Sequence, residues 1–297
     1  MLFKNASTLG TLIVLFCGGI SSVSSAKEVS LDKRMPKSRR MEVYQGHGRK
    51  LEARVPRETA HMKTTFLCAG KETYHRIIGD RFLAFISVGH KDKRKGYPCF
   101  LRIDDKENPK SYKLFRIVVK KFRFKTERLN VAKKYMDLNA RDLARWKREV
   151  ALQKKVYASG VKPAYFKEKF MAPMKSVITS PYGFKRVFND KRESWHLGTD
   201  FRGSVGTPLR ASNRGKVVFV GDLFFNGKTI IIDHGMNIFT MYCHLSEIKA
   251  PYGQVVEKDA VIGLVGATGR VTGPHLHWGL KVDRQWVNGL AFLGQGI

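Results

Sequence analysis

The chain has 297 residues, 43% of them hydrophobic, and 55 Lys and Arg against 25 Asp and Glu leave a formal net charge of +30. That length excludes a chain too small to bury a core and suggests about two domains. The charge is uneven: residues 27–170 carry 39 Lys and Arg against 16 Asp and Glu, whereas residues 171–297 carry 15 against 9.

The first 26 residues read as a secretory signal peptide. Lys4 precedes the apolar run TLIVLFCGGI (11–20), and small residues follow up to Ala26. The mature chain is then expected to begin at Lys27 and to work outside the cytoplasm, periplasmic or secreted. There, a basic surface is attracted to wall or membrane polyanions more than to nucleic acid, and no motif argues for specific nucleic-acid readout. An oxidising compartment would permit Cys68 and Cys99 to pair. Cys243, inside the apolar run IFTMYCHL, reads as a buried inert thiol.

Residues 27–60 (DKRMPKSRRMEVYQGHGRK within them) are basic and without periodicity, and are expected to be a flexible segment. Residues 61–138 carry short β-branched and aromatic runs such as RFLAFISVG and SYKLFRIVVKKFRFK, which predict a β accessory domain. Residues 139–162 predict a linking α-helix, with Asn139 as N-cap, Leu143, Trp146, Val150 and Val156 at helical spacing, and Gly160 as a stop. Residues 163–297 consist of Gly-separated strand patterns and predict a twisted antiparallel β-sheet. The fold class is therefore mainly β.

Three segments of this last domain concentrate chemistry: His196 and Asp200 in WHLGTDF, His244 in MYCHLS, and His275 and His277 in GPHLHWG. Alternation along a strand puts His275 and His277 on one face and Leu276 and Trp278 on the other. A catalytic zinc site takes imidazole nitrogens and carboxylate oxygens and keeps a position open for water. His196, Asp200 and one of the two HLH histidines could supply such a set. The sequence contains no H-E-x-x-H, so histidine is the available acid–base group.

These stretches, together with SPYGFKR (180–186), HLGTDFRGSVGTPLRA (196–211), IIIDHG (230–235) and GQVVEKDAVIGLVGATGRVTGPHLHWGL (253–280), resemble the lysostaphin/LytM-type zinc metallopeptidases, which cut peptide cross-links of bacterial peptidoglycan. The resemblance covers about residues 165–297. It implies one zinc ion per chain held by His196, Asp200 and His277. It also implies that His244 and His275 help activate water and stabilise the tetrahedral intermediate, with their parts interchangeable at this stage. Peptidoglycan is the implied partner; separately, the charge of the basic N-terminal half is expected either to serve as a solvated surface or to attract other anionic envelope polymers. Gly289 stands where many members have proline after the VN dipeptide.

An alternative of a different class is a non-catalytic wall-binding regulator or activator of other murein hydrolases. Another is a polyanion-binding protein with a structural metal, and the front region could also mask the groove. Of the remaining residues, Tyr182 is expected to line a substrate groove, Trp278 to lie in the core and His234 to occupy a turn. His61, His75 and His90 read as surface.

Overall fold

The computed structural model describes residues 31–104, 109–129, 138–160 and 163–297. The signal-peptide reading falls outside them. No helix among the described residues is long and apolar enough to cross a membrane. The chain divides into residues 1–34, whose described part is the helical turn Leu31–Arg34, and the body at 35–297.

The front of the body is built from β1 (Arg39–Tyr44), β2 (Gly48–Arg54), β3 (Thr64–Cys68), β4 (Lys71–Glu72), β5 (His75–Ile78), β6 (Arg81–Ser87), β7 (Gly96–Ile103) and β8 (Lys110–Lys120). They form a five-stranded sheet, β1-β8-β7-β3-β4, and a three-stranded sheet, β2-β6-β5. Between them Phe66, Phe82, Phe115 and Leu101 close a core, with Phe66 and Phe82 ring centroids 4.7 Å apart edge to face. Cys68 and Cys99 lie directly opposite each other on β3 and β7 and form a disulfide.

This corrects the expectation for residues 27–60. Arg39–Tyr44 pairs in parallel with β8, and Gly48–Arg54 pairs antiparallel with β6. Val43, Leu51, Ala53 and Val55 are buried in the front core. Their period-two pattern is a strand signal, but arginine, lysine and glutamate fill the alternate positions and mask it.

Beyond β8, β9 (Thr126–Leu129) precedes the helix Ala140–Ala158. Asn139 caps that helix, its side chain accepting from the Asp142 amide. No helix residue is fully buried, yet Tyr157 and Val156 pack on Phe239 and Met241 of the large sheet. The helix is therefore a cover over one sheet face as well as a connection.

The remaining strands are β10 (Ile178–Ser180), β11 (Lys185–Phe188), β12 (Arg192–Trp195), β13 (Thr199–Arg202), β14 (Pro208–Arg210), β15 (Gly215–Leu223), β16 (Gly227–Gly235), β17 (Ile238–Ile248), β18 (Val255–Val256), β19 (Val261–Val265), β20 (His275–Val282) and β21 (Gln285–Val287). Ten of them make one sheet whose spine runs β10-β13-β20-β17-β16-β15-β18, antiparallel throughout. Trp278, Tyr242, Phe201 and Leu276 fill its core. β11 pairs with β12 and, in parallel, with β9, so a strand from the connector joins the C-terminal half. On β6, Leu83 and Phe85 face away from the front core and pack on Phe166, Leu280 and Phe292. The two halves are thereby fastened by apolar contact.

Candidate metal and catalytic site

Strand pairing assembles the site. Asp200 on β13 lies opposite His277 on β20, and His277 lies opposite Cys243 on β17, so all three project to the same face. Leu276 and Trp278 point the other way into the core, and Trp278 is 1% exposed. His196 precedes β13 in a short loop, and its backbone amide donates to Phe184 O.

Simple alternation would send His244 to the far face with Tyr242. Instead β17 bulges between its pairings with Lys228 and Ile230, and His244 takes a left-handed φ of 66°. The irregularity turns its ring back toward the other histidines, a known use of a bulge. Its amide donates to Asn226 O at 2.8 Å. The His244 ring centroid then lies 4.8 Å from His275 and 6.1 Å from His277.

His196, Asp200 and His277 bring their donor atoms within 4.8 Å of one another. Asp200 Oδ1 is 3.0 Å from His196 Nε2 and 2.8 Å from His277 Nδ1, and the two ring nitrogens are 3.1 Å apart. His196 Nδ1 sits 2.9 Å from Pro181 O. A proton on Nδ1 satisfies that carbonyl and leaves the Nε2 lone pair aimed at the cluster. Two imidazole nitrogens and one carboxylate oxygen converging on a point fit a tetrahedral N/O metal such as zinc with a position left open.

Electrostatics agree with that fit. Burial opposes ionisation of Asp200, but the close His196 and His277 rings outweigh it and hold the carboxyl well below the usual carboxylate range, so Asp200 offers an anionic oxygen to the cluster. Arg186 Nη2 adds a contact to Asp200 Oδ2 at 3.2 Å and donates to Ser180 Oγ at 2.8 Å. Burial pushes His277 down, against the pull of Asp200. Burial, followed by the neighbouring His277 and His275, pushes His244 down to about 3 and keeps it neutral.

His244 and His275 share one arrangement. His244 Nδ1 is 2.9 Å from Thr268 O, and His275 Nδ1 is 2.9 Å from Gly273 O. With both Nδ1–H groups committed to carbonyls, each ring offers Nε2 to whatever occupies the cleft. Gly198 makes room for the cluster: a Cβ there would lie 2.5 Å from the His277 ring and 2.7 Å from Trp278 O.

All five candidate residues thus come together. Tyr182 does not line a groove; it is buried, and its hydroxyl donates to Trp286 O at 2.8 Å. His234 is not in a turn but buried in β16, between Arg214 O and the Thr240 hydroxyl. His75 is half-buried and stacked on Phe82 rather than exposed. Arg186 lay within a motif, SPYGFKR, without an assigned part. The carbonyls of Pro181, Thr268 and Gly273 carry no residue-type signal at all.

Residues 194–289 match the profile of peptidase family M23. This segment is an M23 peptidase domain. Over 100 residues it is 45% identical to peptidoglycan DD-endopeptidase ShyA of Vibrio cholerae, covering 34% of this chain and 23% of that protein. Over 113 residues it is 39% identical to DD-carboxypeptidase/endopeptidase Mpg of Neisseria meningitidis, covering 37% of this chain and 26% of that one. The chain thus spans about a quarter of the length of these relatives. A crystal structure assigned to peptidase M23 from Pseudomonas aeruginosa superposes with a TM-score of 0.63 at 27% identity, over 89% of this chain and 98% of the other. That likeness extends beyond the M23 domain to the front sheets.

Proposed function

We propose that this protein is a zinc-dependent endopeptidase that works outside the cytoplasm and hydrolyses peptide cross-links of bacterial peptidoglycan. The observation that carries the reading is the two-histidine, one-carboxylate cluster of His196, Asp200 and His277 with two further histidines beside it. The names of the relatives, which specify DD-endopeptidase activity, support a bond between D-amino acids as the one cut.

In this reading His196 Nε2, Asp200 Oδ1 and His277 Nδ1 hold the zinc. When bound, zinc supplies a Lewis acid for the scissile carbonyl and lowers the pKa of water to about 7. Arg186 and the Pro181 carbonyl orient Asp200 and His196 from behind. His244 and His275 present Nε2 to the substrate and share two parts. His244, neutral with its proton on Nδ1, accepts the proton of the attacking water at Nε2 and returns it to the leaving amine. His275, when it carries a proton on Nε2 as well as on Nδ1, donates to the carbonyl oxygen as negative charge develops there. Their Nδ1 bonds to Thr268 and Gly273 fix both rings, so little reorganisation is required at the transition state.

The test is fragment release from purified sacculi by residues 27–297, followed by mass spectrometry, with and without a zinc chelator and beside His275→Ala. Chelator-sensitive release, absent in the variant, is the expected result. Zinc binding without release of any fragment would instead support the non-catalytic regulator.

A further inference from the structure

The cationic surplus of the front half has an ordered placement that the peptidase chemistry does not use. On β1 and β8, Arg40 stands beside Arg116 and Tyr44 beside Lys120. On β7 and β8, Phe100 stands beside Lys113. These residues alternate with the buried Val43, Ile117 and Leu101, so they share the outer face of the sheet. Glu42 is the acid of the β1 row and is held by Lys120 and Arg40 at 3.1 and 3.4 Å.

At the end of that face the chain continues as KKFRFK (120–125), an extended segment with alternating cations and rings. Tyr44 and Phe122 are 47% and 39% exposed, with centroids 6.5 Å apart. From there the rings form steps: Phe122 to Phe124 at 4.9 Å, then Phe124 to Trp195 at 5.7 Å. Trp195 immediately precedes His196, and Lys91 Nζ lies 5.7 Å from its ring centre. The steps are fixed to the peptidase half. Lys185 N donates to Lys125 O, β9 pairs with β11, and Gly183 leaves space for the Phe124 ring that any Cβ would invade at 2.3 Å. A basic sheet face is thereby joined by a row of aromatic rings to the residue beside the metal cluster.

We propose that this face and ring row form a binding track for the polymer itself, a glycan strand bearing carboxylated peptides, so that the strand is held while its cross-link is cut. The proposal rests on the peptidoglycan reading above. Its chemistry is complementary on both counts. Pyranose rings have an apolar C–H face that covers an exposed aromatic ring, and the peptide carboxylates meet arginine and lysine. Tyr44 and Phe122 both pack against His47, at 5.7 and 5.3 Å between centroids, and the part of each ring left exposed is open to an occupant of this kind.

The test measures retention on insoluble sacculi of the full chain carrying His275→Ala, which separates binding from turnover. In that background, the pair Tyr44→Ala and Phe122→Ala is expected to weaken retention about tenfold, the scale of two lost aromatic contacts. The pair Arg40→Glu and Arg116→Glu is expected to do the same at about 0.1 M salt and to lose its effect near 1 M, where screening is short-ranged. Placed in the otherwise unaltered chain, the same pairs leave hydrolysis of a small soluble cross-linked dimer unchanged. If no chain cleaves the dimer, the peptidase reading fails while the retention result still stands by itself. Retention unaffected by either pair overturns the track. So does ring-dependent binding to double-stranded DNA that is tighter than binding to sacculi.

Discussion

Asp200 and His277 stand opposite each other across β13 and β20, with Asp200 Oδ1 2.8 Å from His277 Nδ1. A cross-strand pair inside a sheet is one of the stiffest ways to hold two side chains together, and the third member, His196, is bonded into the adjoining loop. Because strand register defines this geometry, small backbone changes beside it are expected to be costly.

Gly198→Ala tests that directly. The added methyl would lie 2.5 Å from the His277 ring and 2.7 Å from a backbone carbonyl, so the ring must move. Zinc affinity measured by calorimetric titration is expected to fall by about 10–100-fold, as when other supports of metal ligands are lost. Unchanged affinity would mean that His277 is not held where the structure places it.

Arg186→Ala removes the partner of Asp200 Oδ2 without touching a proposed ligand. Fragment release is expected to drop about 10–100-fold, and Arg186→Lys to recover part of it through charge without the fork geometry. An alanine variant with full activity would remove Arg186 from the account.

The Cys68–Cys99 bridge closes 31 residues of separation in the front core. Replacing both cysteines with alanine is expected to lower unfolding stability by about 3–4 kcal/mol, read by chemical denaturation. Cys243 is buried, and its burial pushes the thiol up to about 12, so alkylation of the folded protein should leave it unmodified.

His234 predicts a stability slope on the acid side. Complete burial holds it down to about 4, against about 6.5 in an unfolded chain. The unfolded chain therefore binds the proton first as pH falls. Above 6.5 both states are neutral and the contribution is fully present; between 6.5 and 4 it is lost, by about 3 kcal/mol in total. Denaturation curves at pH 7 and pH 4.5 should show this loss in the native chain. His234→Gln, which cannot titrate, should show that much less.

Much of the site was legible because its residues combine motif and alternation. The pair His275 and His277 declares a shared face, and His196 with Asp200 supplies the remaining donors. The helix 140–158 was legible from Asn139 and its apolar spacing. β1 and β2 were not, since Leu51, Ala53 and Val55 are separated by charged residues that dominate any composition window. His244 could be named but not aimed: only the left-handed bulge turns it inward. Tyr182 and His234 were misplaced because burial depends on what tertiary structure covers them, Trp286 and the 240–242 segment respectively.

The most direct measurement is incubation of the purified, zinc-loaded chain with a defined cross-linked peptide dimer, with the products identified by mass spectrometry. The account predicts two monomers that together have gained one water, split at a bond between D-amino acids, with none formed after chelation or by His275→Ala. An intact dimer beside a zinc-loaded, folded chain, or cleavage that persists in the chelated protein, would contradict it.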